Sequence, residues 1–151
     1  MLVGESLNGL EFELMYDQDK FIEETRTYIG PTLEQHGLTV DIFARSMIAV
    51  ATNKLVGIIL KNDNEPMAFA VIDDDGINIR LLLLVVLVEY RSQGYGSMMI
   101  RWLRDSYCKD KGCKFISVSV HDDGKGFYEK QGFYSTHGGE QVKFHKMVLS
   151  I

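Results

Sequence analysis

Hydrophobic and polar residues follow two different spacings along the chain, and each spacing predicts a different element. Residues 10–16 alternate apolar and polar side chains, as a half-buried strand does. Residues 81–88 are all apolar, which is typical of a strand in the middle of a sheet that is covered on both faces. After Gly94 the spacing becomes helical. The inner stripe of this helix consists of Met99, Ile100, Leu103 and Tyr107.

Turn-forming residues divide the rest of the chain into further elements. Gly30 and Pro31 are expected to break the first helix, and turns are expected at 62–66, 73–76 and 138–139. The predicted strands are 10–16, 55–61, 67–72, 77–88, 115–120, one beginning at Phe133, and 141–149. The predicted helices are 17–29 with Asp17 as its cap, 32–53 with an interruption near Gly37, 94–109 and 127–131. This order predicts an α/β fold with a mixed sheet.

A glycine-containing loop connects the buried strand to the helix that follows it. Such a loop directs several backbone N–H groups and the positive end of a helix dipole at one point, which suits a phosphate or diphosphate. The dinucleotide motif G-x-G-x-x-G is incomplete, because Met99 occupies the third glycine position. The phosphate loop G-x-x-x-x-G-K-[ST] is absent from the sequence. What remains is R-x-x-G-x-G, formed by Arg91, Gly94 and Gly96.

This R-x-x-G-x-G motif resembles the coenzyme A loop of the GNAT (Gcn5-related) N-acetyltransferases. A second segment, GFYEKQGF at 126–133, resembles that family's FYEK-x-GF segment, and the two occur in the family's order. The resemblance is specific over 82–133. It implies a single N-acetyltransferase domain over 1–151, with a mixed central sheet of about six to seven strands and about four helices. It also implies acetyl-CoA as cosubstrate and no metal.

The resemblance implies roles for individual residues. In the family, the strand before the loop separates from its neighbour at a bulge, and free backbone groups then contact the pantetheine arm and the thioester oxygen. Tyr128 matches the family's tyrosine, which is expected to give a proton to the departing thiolate. The implied coenzyme-binding residues are Leu84, Val86, Val88, Arg91, Gln93, Gly94, Tyr95, Gly96 and Ser97.

The base that deprotonates the amine is less well marked. Many family members place a glutamate on the central strand, but Arg80 is the only polar residue at 79–88. His121 stands close to where the family often has an asparagine, and its ordinary pKa suits a base. The simpler interpretations are that His121 has a structural role at the strand end and that residues 73–76 form a solvated turn. The other candidates are Glu89, Asp73, Asp74, Asp75, His137, His145 and water.

Composition narrows the partners. The formal net charge of −5 argues against nucleic acid and is compatible with a cationic amine. The cysteines, Cys108 and Cys113, have no companion ligands, which favours buried, reduced thiols over a zinc site. The N-terminus lacks a basic start and no apolar run is long enough to span a bilayer, so we expect no membrane association and a cytoplasmic protein. Apolar residues at 39–51 are compatible with a homodimer contact or with ordinary core packing.

We therefore expect an acetyl-CoA-dependent N-acetyltransferase that transfers acetyl directly to a primary amine of a small molecule or of a protein or peptide. Two alternatives remain open. One is a coenzyme A-binding sensor or scaffold without catalysis, since the strand lacks a carboxylate. The other is a nucleotide-binding α/β protein of a different kind.

Overall fold

The computed structural model describes residues 9–28, 30–35, 37, 45, 53–136 and 144–151. Most of the predicted helix 32–53, including nearly all of the apolar segment 39–51, lies outside these ranges. His137 and the predicted turn at 138–139 also lie outside them.

The elements follow the order that the sequence predicts. The strands are β1 (Leu10–Met15), β2 (Lys54–Asn62), β3 (Glu65–Asp74), β4 (Ile79–Val86), β5 (Phe115–His121), β6 (Tyr134–Ser135) and β7 (Phe144–Ser150). The helices are α1 (Gln18–Tyr28), α2 (Gly30–Gln35), α3 (Tyr95–Trp102) and α4 (Asp122–Lys130). Helix α3 continues through a π-helical segment, Leu103–Cys108, into a last turn, Lys109–Lys111. None of the helices in the described ranges has both the length and the apolar character needed to cross a membrane.

The seven strands in the described ranges form one mixed sheet in the order β1-β2-β3-β4-β5-β7-β6. β4 and β5 are parallel, and every other neighbouring pair is antiparallel. The larger core cluster includes Met99, Ile100 and Leu103 from the α3 helix and its continuation. Phe21 of α1 packs in a second cluster with Ile59 and other residues. The predicted α/β fold with a mixed sheet is confirmed.

Local signals in the first half of the chain are also confirmed. The Asp17 carboxylate accepts a hydrogen bond from the Asp19 N–H at 2.8 Å, as expected of a helix cap. The β2–β3 hairpin turns at Asp63 and Asn64, whose φ angles of 48° and 68° fit a two-residue hairpin turn. This turn is shorter than the predicted 62–66.

The predicted solvated turn at 73–76 is wrong for its first two residues. Asp73 and Asp74 end strand β3 and are only 4% and 5% exposed. The Arg80 guanidinium donates to Asp73 at 3.0 Å. Asp74 accepts from the Tyr107 hydroxyl at 2.5 Å and from the Lys111 ammonium at 3.2 Å. These partners satisfy the buried carboxylates, so the acidic run extends the strand.

Two other predicted boundaries are wrong. The strand predicted at 77–88 ends at Val86, and a 3₁₀ turn, Val88–Tyr90, follows it. The helix predicted at 127–131 begins earlier, at Asp122. His121 caps that helix, because its Nδ1 accepts from the Asp123 N–H at 3.5 Å. Gly124 weakens the sequence signal for a helix here, and the cap is what allows the earlier start.

Candidate active site

β4 and β5 separate part-way along the sheet. Their parallel pairing runs from Ile79 opposite Ile116 to Leu81 opposite Val118. Beyond this point no further pairs join the two strands, although both continue and all of their residues are described. The strands therefore diverge and leave a gap in the sheet at the end of β4 that leads to the glycine loop.

A β-bulge lies where the separation begins. In the β3–β4 ladder, Ile72 pairs with Leu81 while Val71 pairs with Leu83, so Leu82 is an extra residue on β4. The bulge that the resemblance implies is present in this strand.

The bulge decides which backbone groups face the gap. Leu87 donates its N–H to the Met67 carbonyl of β3 at 2.9 Å. Since successive backbone groups of a strand point to opposite edges, Leu84 and Val86 direct theirs away from β3 and toward the gap. Without the extra residue, the alternation of backbone groups that begins at the start of β4 would continue unbroken. The backbone groups of Leu83, and not those of Leu84, would then face the gap.

Arg91 folds back onto the end of this strand. Its Nε donates to the Val86 carbonyl at 3.0 Å, so that carbonyl already has a partner. The Val86 N–H and the backbone groups of Leu84 still face the gap. Val88 lies past the strand end in the 3₁₀ turn, and its side chain is 50% exposed. The edge of β4 that faces the gap therefore ends at Val86, without Val88.

The start of α3 presents backbone donors that the helix itself does not use. Gly94 is the N-cap, its φ is 86°, and no side chain of the described residues caps this end. The Met98 N–H makes the first helical bond, to the Gly94 carbonyl at 3.0 Å. The three N–H groups before it belong to Tyr95, Gly96 and Ser97 and have no acceptor within the helix. Together with the helix dipole, they form a site for an anion.

The other side chains of the loop contact the turn that precedes it. Gln93 donates its side-chain N–H to the Glu89 carbonyl at 3.2 Å. The Tyr95 ring packs edge-on against Tyr90, with the ring centroids 6.1 Å apart. Glu89 itself is exposed in this turn.

Helix α4 meets α3 and β4 at Gly96. A Cβ atom on Gly96 would lie 3.2 Å from the Phe127 ring and 3.7 Å from a methyl of Val86. The absence of a side chain at Gly96 therefore allows this three-way contact, a role distinct from close approach to a ligand. A Cβ on Gly94 would meet no neighbour in the part of the chain that the structure describes, and the positive φ of Gly94 is what favours glycine there.

Tyr128 follows Phe127 on α4 and packs at the same junction. Its ring lies edge-on against Phe127 and Phe133, with centroid distances of 5.0 and 5.3 Å. Burial raises the pKa of Tyr128 to about 12. Within the described ranges, its hydroxyl has no hydrogen-bond partner. Tyr128 therefore carries a protonated donor that the protein does not otherwise use.

The candidate bases are spread over the molecule. His121 ends β5, on the strand that borders the gap, and its side chain is exposed. Asp74 pairs with the first residue of β4, roughly 23 Å along the strand from Val86. That distance places Asp73 and Asp74 at the far end of the strand from the loop. His145 is 9% exposed and bonds to the Asp122 carboxylate, which lowers the pKa of Asp122.

Cys108 ends the π-helical segment that continues α3, and Cys113 lies just beyond the last helical turn. Both side chains are buried and reduced, as expected. Burial raises the pKa of Cys108 and of Cys113, so neither is a ready thiolate. Among the described residues, no cluster of side chains suits a metal ion.

One contact at the site was not predicted by any sequence signal. The Gln131 side-chain amide donates to the Ser97 hydroxyl at 2.8 Å and so joins α4 to the first turn of α3. The two residues are 34 positions apart, and neither local pattern indicates the pairing.

Comparison with known proteins decides the family. The family model for the acetyltransferase (GNAT) domain matches residues 45–135, which is more than half of the chain. The chain belongs to the GNAT acetyltransferase family. It is therefore an acetyltransferase, and the resemblance of the loop and of the 126–133 segment is confirmed. No curated protein matches the sequence.

Solved structures show the same fold at low identity. A putative N-acetyltransferase from Lactobacillus plantarum is 14% identical, with a TM-score of 0.72 over 95% of this chain and 99% of its own. The ribosomal-protein-S18-alanine N-acetyltransferase from Escherichia coli is 18% identical, with a TM-score of 0.65 over 93% and 94%. The PaiA N-acetyltransferase from Thermoplasma acidophilum, solved with coenzyme A, is 18% identical, with a TM-score of 0.61 over 93% and 99%. These likenesses show a shared GNAT fold.

Proposed function

We propose that this GNAT enzyme transfers the acetyl group of acetyl-CoA directly to a primary amine, and that residues 1–151 form one domain. The observation that carries the proposal is the gap between β4 and β5. There the backbone of Leu84 and Val86, the first turn of α3 and the Tyr128 helix come together.

The first turn of α3 would hold the diphosphate of the coenzyme. The N–H groups of Tyr95, Gly96 and Ser97 lack helical acceptors, and, apart from Gly94 and its two chain neighbours, no atom of the described residues lies within 4 Å of where a Cβ on Gly94 would be. Arg91 keeps its terminal guanidinium nitrogens for charge neutralisation, because the bond to the Val86 carbonyl uses only Nε. The exposed Gln93 side chain, bonded to the Glu89 carbonyl, helps to hold the loop in this shape.

The edge of β4 would hold the acyl arm and polarise the thioester. Backbone N–H groups aimed at a developing oxyanion stabilise it without reorganising, and one such donor contributes about 3 kcal/mol. Leu84 and Val86 direct their N–H groups toward the gap. We assign the oxyanion contact to one of these two residues.

Tyr128 would donate a hydrogen bond to the departing thiolate. A phenol with a pKa of about 12 is a weaker acid than a thiol near 8.5. Full proton transfer between them would be uphill by about 5 kcal/mol if the thiolate were fully solvated. The hydroxyl therefore serves mainly to stabilise the sulfur anion. The difference in pKa between the phenol and the thiol is smaller where the sulfur is buried, because burial raises the pKa of a thiol as well. We propose this role in place of the full proton transfer from Tyr128 that the resemblance implies.

The amine must lose its proton before it attacks, because its pKa is near 10. His121 is a candidate because it ends β5, which borders the gap, and its side chain is solvent-accessible. Water reaching the same open edge is the alternative base. Asp73 and Asp74 lie at the other end of β4 from the glycine loop, so His121 and water are better candidates for the base than these two carboxylates.

The names of two structural neighbours, PaiA N-acetyltransferase and ribosomal-protein-S18-alanine N-acetyltransferase, support nitrogen as the acceptor atom.

Binding and transfer assays test the proposal together. Calorimetry should detect coenzyme A and not NAD or ATP, and acetyl-CoA should release its thiol in the presence of at least one amine, peptide or protein acceptor. Binding without transfer to any acceptor would favour a sensor or scaffold, whereas no binding of coenzyme A would remove the proposed site.

A further inference from the structure

Gln131 joins the two halves of the proposed site. It follows the last residue of α4, on the same helix as Tyr128, and its side chain reaches Ser97 in the first turn of α3. The bond is 2.8 Å long and half-buried. It is independent of the Phe127–Gly96 contact, which joins the same two helices through apolar atoms.

The direction of this hydrogen bond matters for the serine. Because the Gln131 amide N–H donates, the Ser97 oxygen is the acceptor. A hydroxyl has one proton to donate, and that proton must then point elsewhere. Ser97 is the third residue of α3, and because helical side chains tilt toward the N-terminus, its hydroxyl is directed toward the turn whose three N–H groups lack helical acceptors.

We propose that Gln131 is a positioning residue for coenzyme binding, which orients the Ser97 hydroxyl as an additional donor to the diphosphate. This inference rests on the proposed function, since it requires the diphosphate at the start of α3. Gln131 touches neither the acyl group nor the acceptor in this arrangement and acts through Ser97.

Two replacements of equal length test the direction of the bond. Gln131→Met removes the donor, and Gln131→Glu replaces it with a carboxylate that accepts the serine proton and places a negative charge beside the diphosphate. We expect Gln131→Met to raise the Kd for coenzyme A about fivefold, the size of one ordinary hydrogen bond. Gln131→Glu should raise it further. The kcat at saturating acetyl-CoA should change little in the Met variant.

A shortened substrate separates positioning from general structure. S-acetylpantetheine lacks the diphosphate, so Gln131→Met should leave its kcat/KM unchanged while raising the KM for acetyl-CoA. A double-mutant cycle adds a second readout: in the Ser97→Ala background, Gln131→Met should weaken coenzyme A binding no further. Thermal unfolding of each variant shows whether the fold is intact.

The outcomes are distinct. Three results would each overturn the role of Gln131. They are an unchanged Kd for coenzyme A in Gln131→Met, an equal loss of kcat/KM with acetyl-CoA and with S-acetylpantetheine, and additive effects of Gln131→Met and Ser97→Ala on the Kd for coenzyme A. If the unsubstituted enzyme does not bind coenzyme A, the proposed function fails first, and the positioning role fails with it.

Discussion

Replacing Tyr128 by phenylalanine removes one hydroxyl and leaves the ring in its place. The ring contacts with Phe127 and Phe133 are retained, so the packing of α4 should not change. The hydroxyl has no hydrogen-bond partner within the described ranges, so its removal breaks no bond seen there. We therefore expect the free energy of unfolding to stay within about 0.5 kcal/mol of the unsubstituted value, or to rise.

The effect on turnover should be much larger. A hydrogen bond to a charged acceptor contributes about 1.5–3 kcal/mol, which corresponds to roughly a 10- to 150-fold fall in kcat. The Kd for coenzyme A should be nearly unchanged, because the hydroxyl is needed only as the thiolate forms. Since the pKa of Tyr128 is raised to about 12, its ionisation should produce no limb in the pH–rate profile below about pH 11.

Tyr107→Phe is the matched control, because it removes the same atom from a different environment. The Tyr107 hydroxyl donates to the buried Asp74 carboxylate, so its loss should destabilise the protein by about 1.5–3 kcal/mol and leave kcat unchanged. Chemical unfolding and steady-state kinetics on both variants give the comparison. Wild-type kcat in Tyr128→Phe, or a loss of stability equal to that of Tyr107→Phe, would refute the assignment of Tyr128.

The remaining predictions concern four positions. Gly94→Ala should weaken coenzyme A binding and cost about 1 kcal/mol of stability, because Gly94 has a positive φ. Gly96→Val should also disrupt the contact with Phe127 and lose more stability, and chemical unfolding of the two variants measures the difference. Burial alone would raise the pKa of Asp74, but hydrogen bonds from Tyr107, Gly76 and Lys111 lower it below 3.8. Its contribution to stability is present above that pH and is lost as pH falls through the lowered pKa, so Asp74→Asn should destabilise the protein at pH 7, and the difference in unfolding free energy should shrink as pH falls through that pKa. His121→Asn should lower kcat/KM for the amine acceptor, because it removes the proposed base, and an unchanged kcat/KM would leave water as the base.

The sequence predicted the elements whose signals are local. The loop at 91–96 follows from the change between a buried strand and a helical stripe, and the cap at Asp17 and the hairpin turn at Asp63 follow from their residue types. What could not be predicted depends on partners that are distant along the chain. Asp74 looks like a turn residue until Tyr107 and Lys111 are brought to it across 33 and 37 positions.

The proposed site also depends on pairing between residues that are distant along the chain. The apolar run 81–88 contains nothing that marks Leu82 as the extra residue, because every neighbour is also apolar and any of them could be bulged. The family resemblance implies Leu84 and Val86, but only the register against β3 fixes the bulge that turns these two residues, and not Leu83 and Val85, toward the gap. In this protein the proposed oxyanion donor is a main-chain group, so its position is set by strand pairing and not by side-chain identity. A substitution at Leu84 that keeps a β-compatible apolar side chain should therefore preserve the donor, whereas a change of register should remove it.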